Sequence, residues 1–421
     1  MTFSSVMNMN QNLRLLPLLI GLLSACSNTP VESVSVVETA SAAVPAPQNK
    51  KRHRHLPEGI FSVDLYQDQD RLHLLTANHV QGKKSLWYQF SDDGGSNWSQ
   101  PVNILTNNLS INAERGKDAQ ITANGKHLFV IWMKHDPEAR FHAGAMQAAY
   151  SPDGGQTWTE TAAPPDWTKG PHGYFDLAAH DNTMHAVWLD SRLGKSDVKA
   201  TQAVHYARSN DNGLTWQTNI TLDALTCSCC WNTIKTDDQG NAYVLYRDKQ
   251  PSDLAIGVID NQQNWQRLSA VGAFDWQFEG CPHIGGGLDF SQYQNQSYIH
   301  AIVGTGHEQH TGVHYLKSED HGKSWSSPQP MGDASALHAD IAANPKGHVI
   351  TVWDMMSSNG LAVFYSESKD NGQSWSAPEQ ISSSGSRASH PRISSNSQGF
   401  LSVWTESSGS QQTMAQKRFP L

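Results

Sequence analysis

The sequence has little of what a helical, membrane-spanning or nucleic-acid-binding protein needs. After the N-terminal segment, no stretch has the apolar spacing of a long amphipathic helix, which disfavours a helical fold. The apolar run of residues 15–23 is far shorter than the roughly 20 residues that cross a bilayer as a helix. The 30 lysines and arginines are outnumbered by 39 aspartates and glutamates, and this net charge of −9 disfavours binding to nucleic acid.

The N-terminal segment has the order of features found in an export signal. Arg14 precedes the apolar run, two small residues follow it, and Cys26 comes next. This order resembles the lipobox of bacterial lipoproteins, which implies that Cys26 is lipidated and anchors the chain to a membrane. Ser27 implies sorting to the outer membrane, with the rest of the chain facing the periplasm or the cell surface.

Composition divides the chain into three parts. Residues 1–26 are the predicted signal peptide with its lipobox cysteine. Residues 27–57 are rich in Ser, Val, Ala, Pro and Glu, which predicts a flexible tether. Residues 58–421 are long enough to form one large core, so we expect a single domain there.

One eight-residue pattern, Ser-x-Asp-x-Gly-x-(Thr/Ser/Asn)-Trp, occurs five times. The copies occupy residues 91–98, 151–158, 209–216, 318–325 and 368–375, and a degenerate copy occupies 260–265. The pattern predicts a tight turn between antiparallel strands. Its Asp bonds to the turn backbone, its Gly takes a positive φ, and its Trp is buried between neighbouring units. A period of about 50 to 60 residues is typical of propeller blades.

This pattern resembles the Asp-box (BNR) repeat of the sialidase-like β-propellers. Strands of alternating character, such as residues 361–368, precede the copies. The resemblance implies an all-β fold, a six- or seven-bladed propeller of the sialidase type with Asp-box turns. The strand unit occurs seven times, and the last, residues 391–419, lacks the pattern and a fourth strand. If that unit completes the first blade, the propeller has six blades. The number of strand units favours seven blades.

Aligning the innermost strands predicts a ring of polar side chains. Positions one and three of each aligned tetrad point to the same side of the strand. Inner strands line a propeller's axis, so their starts surround one mouth of it. The side chains collected there are Asp118, Tyr174, Cys281, His283, His338, Asp340, His390 and Arg392. Ligand sites are concave and gather polar groups, so we expect the functional site at this mouth.

One interpretation of this face is a glycosidase-like site for acidic glycans. It would use three arginines and three aspartates, namely Arg192, Arg247, Arg392, Asp190, Asp248 and Asp340. The arginines come from three different blades and could grip a sugar carboxylate in bidentate fashion. The aspartates could then carry out the acid and base steps.

The cysteines allow three further interpretations. Cys227, Cys229 and Cys230 lie close together, and Cys281 begins the next aligned tetrad, which contains His283. Disulfide bonds are one possibility, since an exported protein is in an oxidising compartment and four cysteines pair in three ways. A soft site for copper or zinc, made by Cys229, Cys230, Cys281 and His283, is the second. Free or redox-active thiols are the third.

Three histidines are expected to pack rather than bind. His73, His185 and His300 lie within strands, where a histidine is more often part of the core than a ligand.

Several short elements together resemble a subgroup of exported bacterial sialidase-like proteins, often labelled exo-α-sialidase. They are Cys-x-Cys-Cys at 227–230, Tyr-Arg-Asp at 246–248, Asp-Trp at 275–276, Gly-Cys-Pro at 280–282 and residues 387–392. The chain lacks the Arg-Ile-Pro element and the Tyr/Glu pair of the sialidase catalytic set. We therefore expect recognition or hydrolysis of acidic glycans. A copper or zinc protein and a non-catalytic binding scaffold are the alternatives.

Overall fold

Regular structure in the described part of this protein is β, apart from one 3-10 turn at Arg140–His142. The computed structural model describes residues 58–105, 109–113, 116–194 and 201–421, which fall within the compact unit His55–Leu421. No helix in these ranges is long and apolar enough to cross a membrane. Cys26, the predicted signal peptide and the predicted tether lie outside the described residues.

The described strands form antiparallel groups in chain order, six with four strands and a last one with three. The first two groups are β1 (Glu58–Asp68), β2 (Arg71–Val80), β3 (Lys83–Ser91), β4 (Val102–Ile104), then β5 (Gln120–Asn124), β6 (His127–His135), β7 (Ala143–Ser151), β8 (Thr159–Thr161). The next two are β9 (Gly173–His180), β10 (Thr183–Asp190), β11 (Thr201–Ser209), β12 (Ile220–Cys227), then β13 (Thr233–Thr236), β14 (Ala242–Arg247), β15 (Leu254–Ile259), β16 (Trp265–Val271). The last three are β17 (Gly286–Tyr293), β18 (Gln296–Thr305), β19 (Gly312–Ser318), β20 (Gln329–Met331), then β21 (Leu337–Ala343), β22 (Val349–Ser357), β23 (Gly360–Ser368), β24 (Glu379–Gln380), then β25 (Arg387–Asn396), β26 (Gly399–Ser408), β27 (Gln411–Pro420).

The first strand of each group lies innermost, and these strands form a closed ring. Each contacts the next in chain order, and β25 contacts β1. A short parallel pairing also joins the two ends of the described chain, with Glu58 opposite Gln411 and Gly59 opposite Gln412. Through this pairing the last three strands, β25–β27, and the first four, β1–β4, belong to one seven-stranded sheet. The all-β propeller predicted from the repeats is confirmed.

The five sequence repeats form the turns that follow β3, β7, β11, β19 and β23. In each turn the serine hydroxyl donates to the aspartate at 2.7–2.9 Å and accepts the glycine N–H at 2.8–2.9 Å. The aspartate also accepts the N–H four residues on at 2.8–2.9 Å. Each glycine has a φ between +80° and +89°. The predicted turn chemistry is therefore present.

The tryptophans of these turns differ from the prediction, because they are half-buried rather than buried. They still join neighbouring groups. Trp158 packs edge-on against Tyr88 of the preceding group, with ring centroids 5.7 Å apart. The ring centroids of Trp216 and of Phe129 in the preceding group lie 5.2 Å apart, and the two rings are tilted relative to each other. The turn thus covers the outer end of each inter-group core without being enclosed by it.

The three strand histidines pack as the sequence suggested. His73, His185 and His300 are buried, and Nδ1 of each lies 2.7–2.8 Å from a tyrosine hydroxyl of the adjacent strand. Burial lowers the pKa of each to about 3, so all three stay neutral at physiological pH.

The repeat turns predict different outcomes for two neighbouring glycines. A Cβ at Gly155 would lie 2.1 Å from Cε1 of Tyr88, a buried ring whose hydroxyl pairs with His73. A Cβ at Gly154, which also has a positive φ (+75°), would meet nothing within 4 Å. We expect Gly154→Ala to lower the free energy of unfolding by about 1 kcal/mol, and Gly155→Ala by about 3 kcal/mol because of the added overlap. Urea unfolding followed by tryptophan fluorescence measures both, and equal losses would contradict the role given to Tyr88.

Candidate functional site

The end of the ring at which the innermost strands begin carries a set of aromatic and titratable side chains that we call the mouth cluster. Its members are Lys117, Tyr174, Trp231, His283, His338 and His390. The rings of His338 and His390 are stacked, with centroids 3.9 Å apart, and Trp231 contacts both at 5.4 and 6.0 Å. On the other side, the Tyr174 ring centroid lies 6.5 Å from that of His283. The predicted gathering of side chains from different inner strands is thus present in the structure.

Four members of the mouth cluster share an uncommon backbone conformation. Tyr174, His283, His338 and His390 have φ values between +41° and +55°. Non-glycine residues seldom adopt this region, and such residues cluster at functional sites, where the surrounding structure holds them. Tyr174, His338 and His390 stand at position one of their aligned tetrads and His283 at position three, so the conformation recurs near the inner-strand starts of four groups.

A buried carboxylate orients the paired histidines. Asp354, within β22, is fully buried, and its Oδ2 lies 2.7 Å from Nδ1 of His338. The same oxygen accepts the backbone N–H of His390 at 2.9 Å. Nδ1 of His338 therefore carries a proton, and its other ring nitrogen, Nε2, is left as a proton acceptor on a side chain that is 16% exposed.

Tyr174 supplies a phenol that keeps its proton. Burial, together with the neighbouring thiols Cys229 and Cys230, raises the pKa of Tyr174 far above its usual value. Nζ of Lys117 lies 5.7 Å from the centroid of this ring, which places a cation beside the phenol. The mouth cluster therefore combines a proton acceptor, a proton donor and a positive charge.

The axis below the mouth is filled by charged and polar side chains. Oδ2 of Asp340 accepts the N–H of Ile393 at 3.0 Å, so this carboxylate joins two inner strands. Enclosure alone would lower the pKa of Arg392, but the carboxylates of Asp340, Asp64, Asp118 and Asp176 raise it. Burial raises the pKa of Asp64 to about 7 and that of Asp176 to about 6, against the opposing effect of Arg392. Asp340 and Arg392 therefore balance charge within the axis.

Asp118, also predicted for the ring, is buried and accepts the N–H of Gly116 at 3.3 Å.

Asp190 and Arg192 form an ion pair beside β10. Arg192 donates to Asp190 at 2.7–3.1 Å and also to Asp166 and Asn219. Burial would raise the pKa of Asp190, but hydrogen bonds from His205 and Arg192 hold it well below its usual range. This aspartate is a permanent anion committed to its partners.

Arg247 is enclosed between the fourth and fifth groups. It is 1% exposed and donates to the backbone oxygens of Ile284 (3.0 Å), Gly304 (2.6 Å) and Ser252. Neighbouring Asp248 accepts from Arg267 at 2.9 Å. The predicted clamp of Arg192, Arg247 and Arg392 is therefore not assembled, because each guanidinium serves a different part of the framework.

The cysteines are arranged differently from the predicted metal set. All four described cysteines are free. The sulfur of Cys227 lies 3.6 Å from that of Cys229 and 3.1 Å from that of Cys230. Hydrogen bonds from these two thiols lower the pKa of Cys227, and the same contact raises the pKa of Cys229. Cys281 is exposed, and its sulfur lies 3.7 Å from the Ser228 hydroxyl, so Cys227 takes its place in the sulfur cluster.

The candidate catalytic set missed Asp354, Lys117 and Trp231. Asp354 carried a usable signal in the sequence. It directly follows Trp353 in the second strand of its group, and Asp190 follows Trp188 by two residues in the second strand of another group. Lys117 precedes the aligned tetrad of its group, and nothing in its own spacing distinguished it.

No protein-family model and no curated protein matches this chain. Among solved structures, it is similar to an ulvan lyase of polysaccharide lyase family PL25 bound to -[GlcA(1-4)Rha3S]-, at 11% identity over 87% of this chain and 94% of that chain, with a TM-score of 0.56. A sialidase from Streptococcus pneumoniae (10% identity, 87% and 69% covered, TM-score 0.45) and the six-bladed fucose-recognising lectin of Aleuria aurantia (9%, 78% and 98%, 0.47) are also similar. The likeness to the ulvan lyase, at 11% identity, concerns the fold alone.

The enclosed position of Arg247 predicts a structural rather than a ligand-binding role. We expect Arg247→Met to lower the free energy of unfolding by about 3 kcal/mol, because buried carbonyl oxygens lose their donor. Arg267→Met, which removes a half-exposed ion pair with Asp248, should lower it by less than about 1 kcal/mol. Urea unfolding measures both. An Arg247→Met variant with normal stability and weakened glycan binding would restore the clamp.

Proposed function

We propose that the mouth cluster binds an acidic polysaccharide and cleaves it by β-elimination beside a uronate carboxylate. The observation that carries this proposal is the Asp354–His338 pair. A fully buried carboxylate fixes Nδ1 of a partly exposed histidine, and Nε2 is then positioned to accept a proton. Trp231 and His390, which pack against the His338 ring, are positioning residues.

The positive charge of the mouth suits an anionic sugar. A uronate carboxylate beside Lys117 would have its charge compensated, and this makes the proton on the adjacent carbon easier to remove. Burial, with smaller contributions from the charges of Lys117 and His338, lowers the pKa of His283. The substrate class that follows is a uronate-containing glycan.

The proposed reaction balances with the residues of the mouth. Nε2 of His338 takes the proton from C5 of the uronate, and the C4=C5 double bond forms. The C4–O bond to the next sugar breaks, and the leaving oxygen takes the phenolic proton of Tyr174. Because burial raises the pKa of Tyr174, this proton is present at neutral pH. Solvent then takes the proton from His338 and returns a proton to Tyr174.

Hydrolysis by a pair of carboxylates has less support. It needs two acids about 5 to 9.5 Å apart on either side of the bond. Asp190 and Asp248 are paired with arginines, and Asp340 holds a backbone amide of the next strand. The similarity to a polysaccharide lyase bound to a GlcA-containing fragment also supports elimination.

A lyase assay tests this proposal. The purified full chain is incubated with a panel of uronate polysaccharides, including one built of GlcA(1-4)Rha3S units. The ultraviolet absorbance of the unsaturated uronate and the number of new reducing ends are measured together. We expect both to rise for at least one substrate. His338→Ala and Tyr174→Phe should each lower kcat by about 10²- to 10⁴-fold.

The matched control is His321→Asn. His321 is an exposed histidine of a repeat turn, so its replacement should leave kcat unchanged. New reducing ends without the absorbance would mean hydrolysis and overturn the elimination. Binding without cleavage would make the mouth a recognition scaffold, and the absence of both would remove the glycan proposal.

We also infer that the protein is an outer-membrane lipoprotein anchored through Cys26, on the order of Arg14, apolar run and cysteine. Labelled palmitate should be incorporated by the wild type and by the control Cys281→Ser, but not by Cys26→Ser. Equal labelling of Cys26→Ser, or recovery of wild type in the soluble periplasmic fraction, would contradict the anchor.

A further inference from the structure

Three buried sulfur atoms meet behind the mouth cluster. Cys227, Cys229 and Cys230 are 2%, 3% and 1% exposed, and their sulfur atoms all lie within 4.8 Å of one another. The chain reverses sharply at the end of β12, so that three residues within four positions turn their side chains to the same point. This convergence needs an explanation, because a core of thiols gains little from packing sulfur on sulfur.

Disulfide bonding does not account for the arrangement. Three sulfurs are an odd number, so a bond between any two would leave the third as a single buried thiol. The fourth described cysteine, Cys281, is exposed, and its sulfur faces Ser228 rather than the cluster. Three convergent sulfurs are instead the donor set of a soft metal ion.

The spacing of the sulfurs is close to that of a zinc site. Zinc–sulfur bonds of about 2.3 Å place two thiolates of a tetrahedron about 3.8 Å apart. The observed separations of 3.6 and 3.1 Å from Cys227 need expansions of about 0.2 and about 0.7 Å to reach this spacing. The guanidinium of Arg247 also interacts favourably with the sulfurs of Cys227 and Cys230, which compensates part of the charge of three thiolates.

We propose that Cys227, Cys229 and Cys230 bind one zinc ion, with the imidazole of His283 as the fourth ligand. His283 lies beside this cluster, because its ring centroid is 6.5 Å from that of Tyr174, which packs in the same buried core as the three cysteines. Its ring nitrogens are not within 4.8 Å of all three sulfurs, so ligation requires the ring to move toward them. Three sulfurs and one nitrogen form a closed structural zinc site. Three thiolates without a further ligand would favour monovalent copper. With His283 as the fourth ligand, the site favours zinc.

This ion would organise the mouth rather than react there. Asn232 lies two residues after Cys230, and its side chain donates to the backbone oxygen of Tyr174 at 2.8 Å. Trp231, between Cys230 and Asn232, packs against both mouth histidines. Fixing the cysteines therefore fixes the positions of Tyr174 and Trp231. The zinc site does not depend on the glycan chemistry proposed above.

Elemental analysis combined with thiol alkylation tests the site. The full chain is purified without added chelator, and metal content and alkylation of each cysteine are measured by mass spectrometry. We expect about one zinc per chain, with alkylation confined to Cys281 until a chelator is added. Chelation should then expose the other three cysteines to alkylation and lower the unfolding temperature.

Variants separate the four candidate ligands from Cys281. Cys229→Ser should lose the zinc and His283→Ala should bind it more weakly, whereas Cys281→Ser should retain it fully. Because a buried cysteine variant can misfold, a second measurement uses wild type reconstituted with cobalt, which should show thiolate-to-cobalt charge-transfer absorbance. A disulfide among the three cysteines in freshly purified protein, or full zinc retention by Cys229→Ser, would overturn the site. One copper per chain would overturn the choice of metal.

Discussion

Carboxylates on the innermost strands hold the ring together, and the character of the axis depends on them. On the innermost strands, the four aspartates whose Oδ2 accepts a backbone N–H of the following group at 2.8–3.0 Å are Asp64, Asp176, Asp289 and Asp340. Inner strands of a propeller face one another without a sheet ladder between them, so their amides need another acceptor. Enclosing several carboxylates is unfavourable unless cations accompany them. Arg392 and Lys235 provide these cations; enclosure would lower the pKa of Lys235, but Asp289, Asp340 and Asp176 raise it.

This constraint decides which residues remain for chemistry. Arg392 is used inside the axis, Arg192 is used by Asp190, and Arg247 is used by backbone oxygens. The arginines and aspartates that suggested a sialidase-like clamp are therefore framework residues. What is left at the opening is a set of histidines, a tyrosine and a lysine. The tyrosine and three of the histidines, His283, His338 and His390, have positive φ values.

The sequence predicted the features that repeat and missed those that depend on side-chain reach. Repeat spacing gave the turn chemistry, and aligned tetrads brought Tyr174, His338 and His390 to one opening. The alignment could not tell where a long side chain such as that of Arg247 would find its partners, because those carbonyls belong to residues 37 and 57 positions away. It also placed Cys281 in the metal set by its tetrad position, whereas the backbone turns this residue outward.

Because side chains fill the axis, the opening at the mouth does not continue as a channel through the ring. With its amide nitrogen facing both carboxylates, Gln120 donates to Asp64 at 3.3 Å and to Asp176 at 3.1 Å, which closes the passage below the opening. A polymer cannot thread through such a ring, and its backbone must lie across the opening with both termini in solvent. If the mouth cleaves a polysaccharide as proposed, that arrangement would not require a free chain end, and it would favour scission at internal linkages and the release of fragments of mixed length.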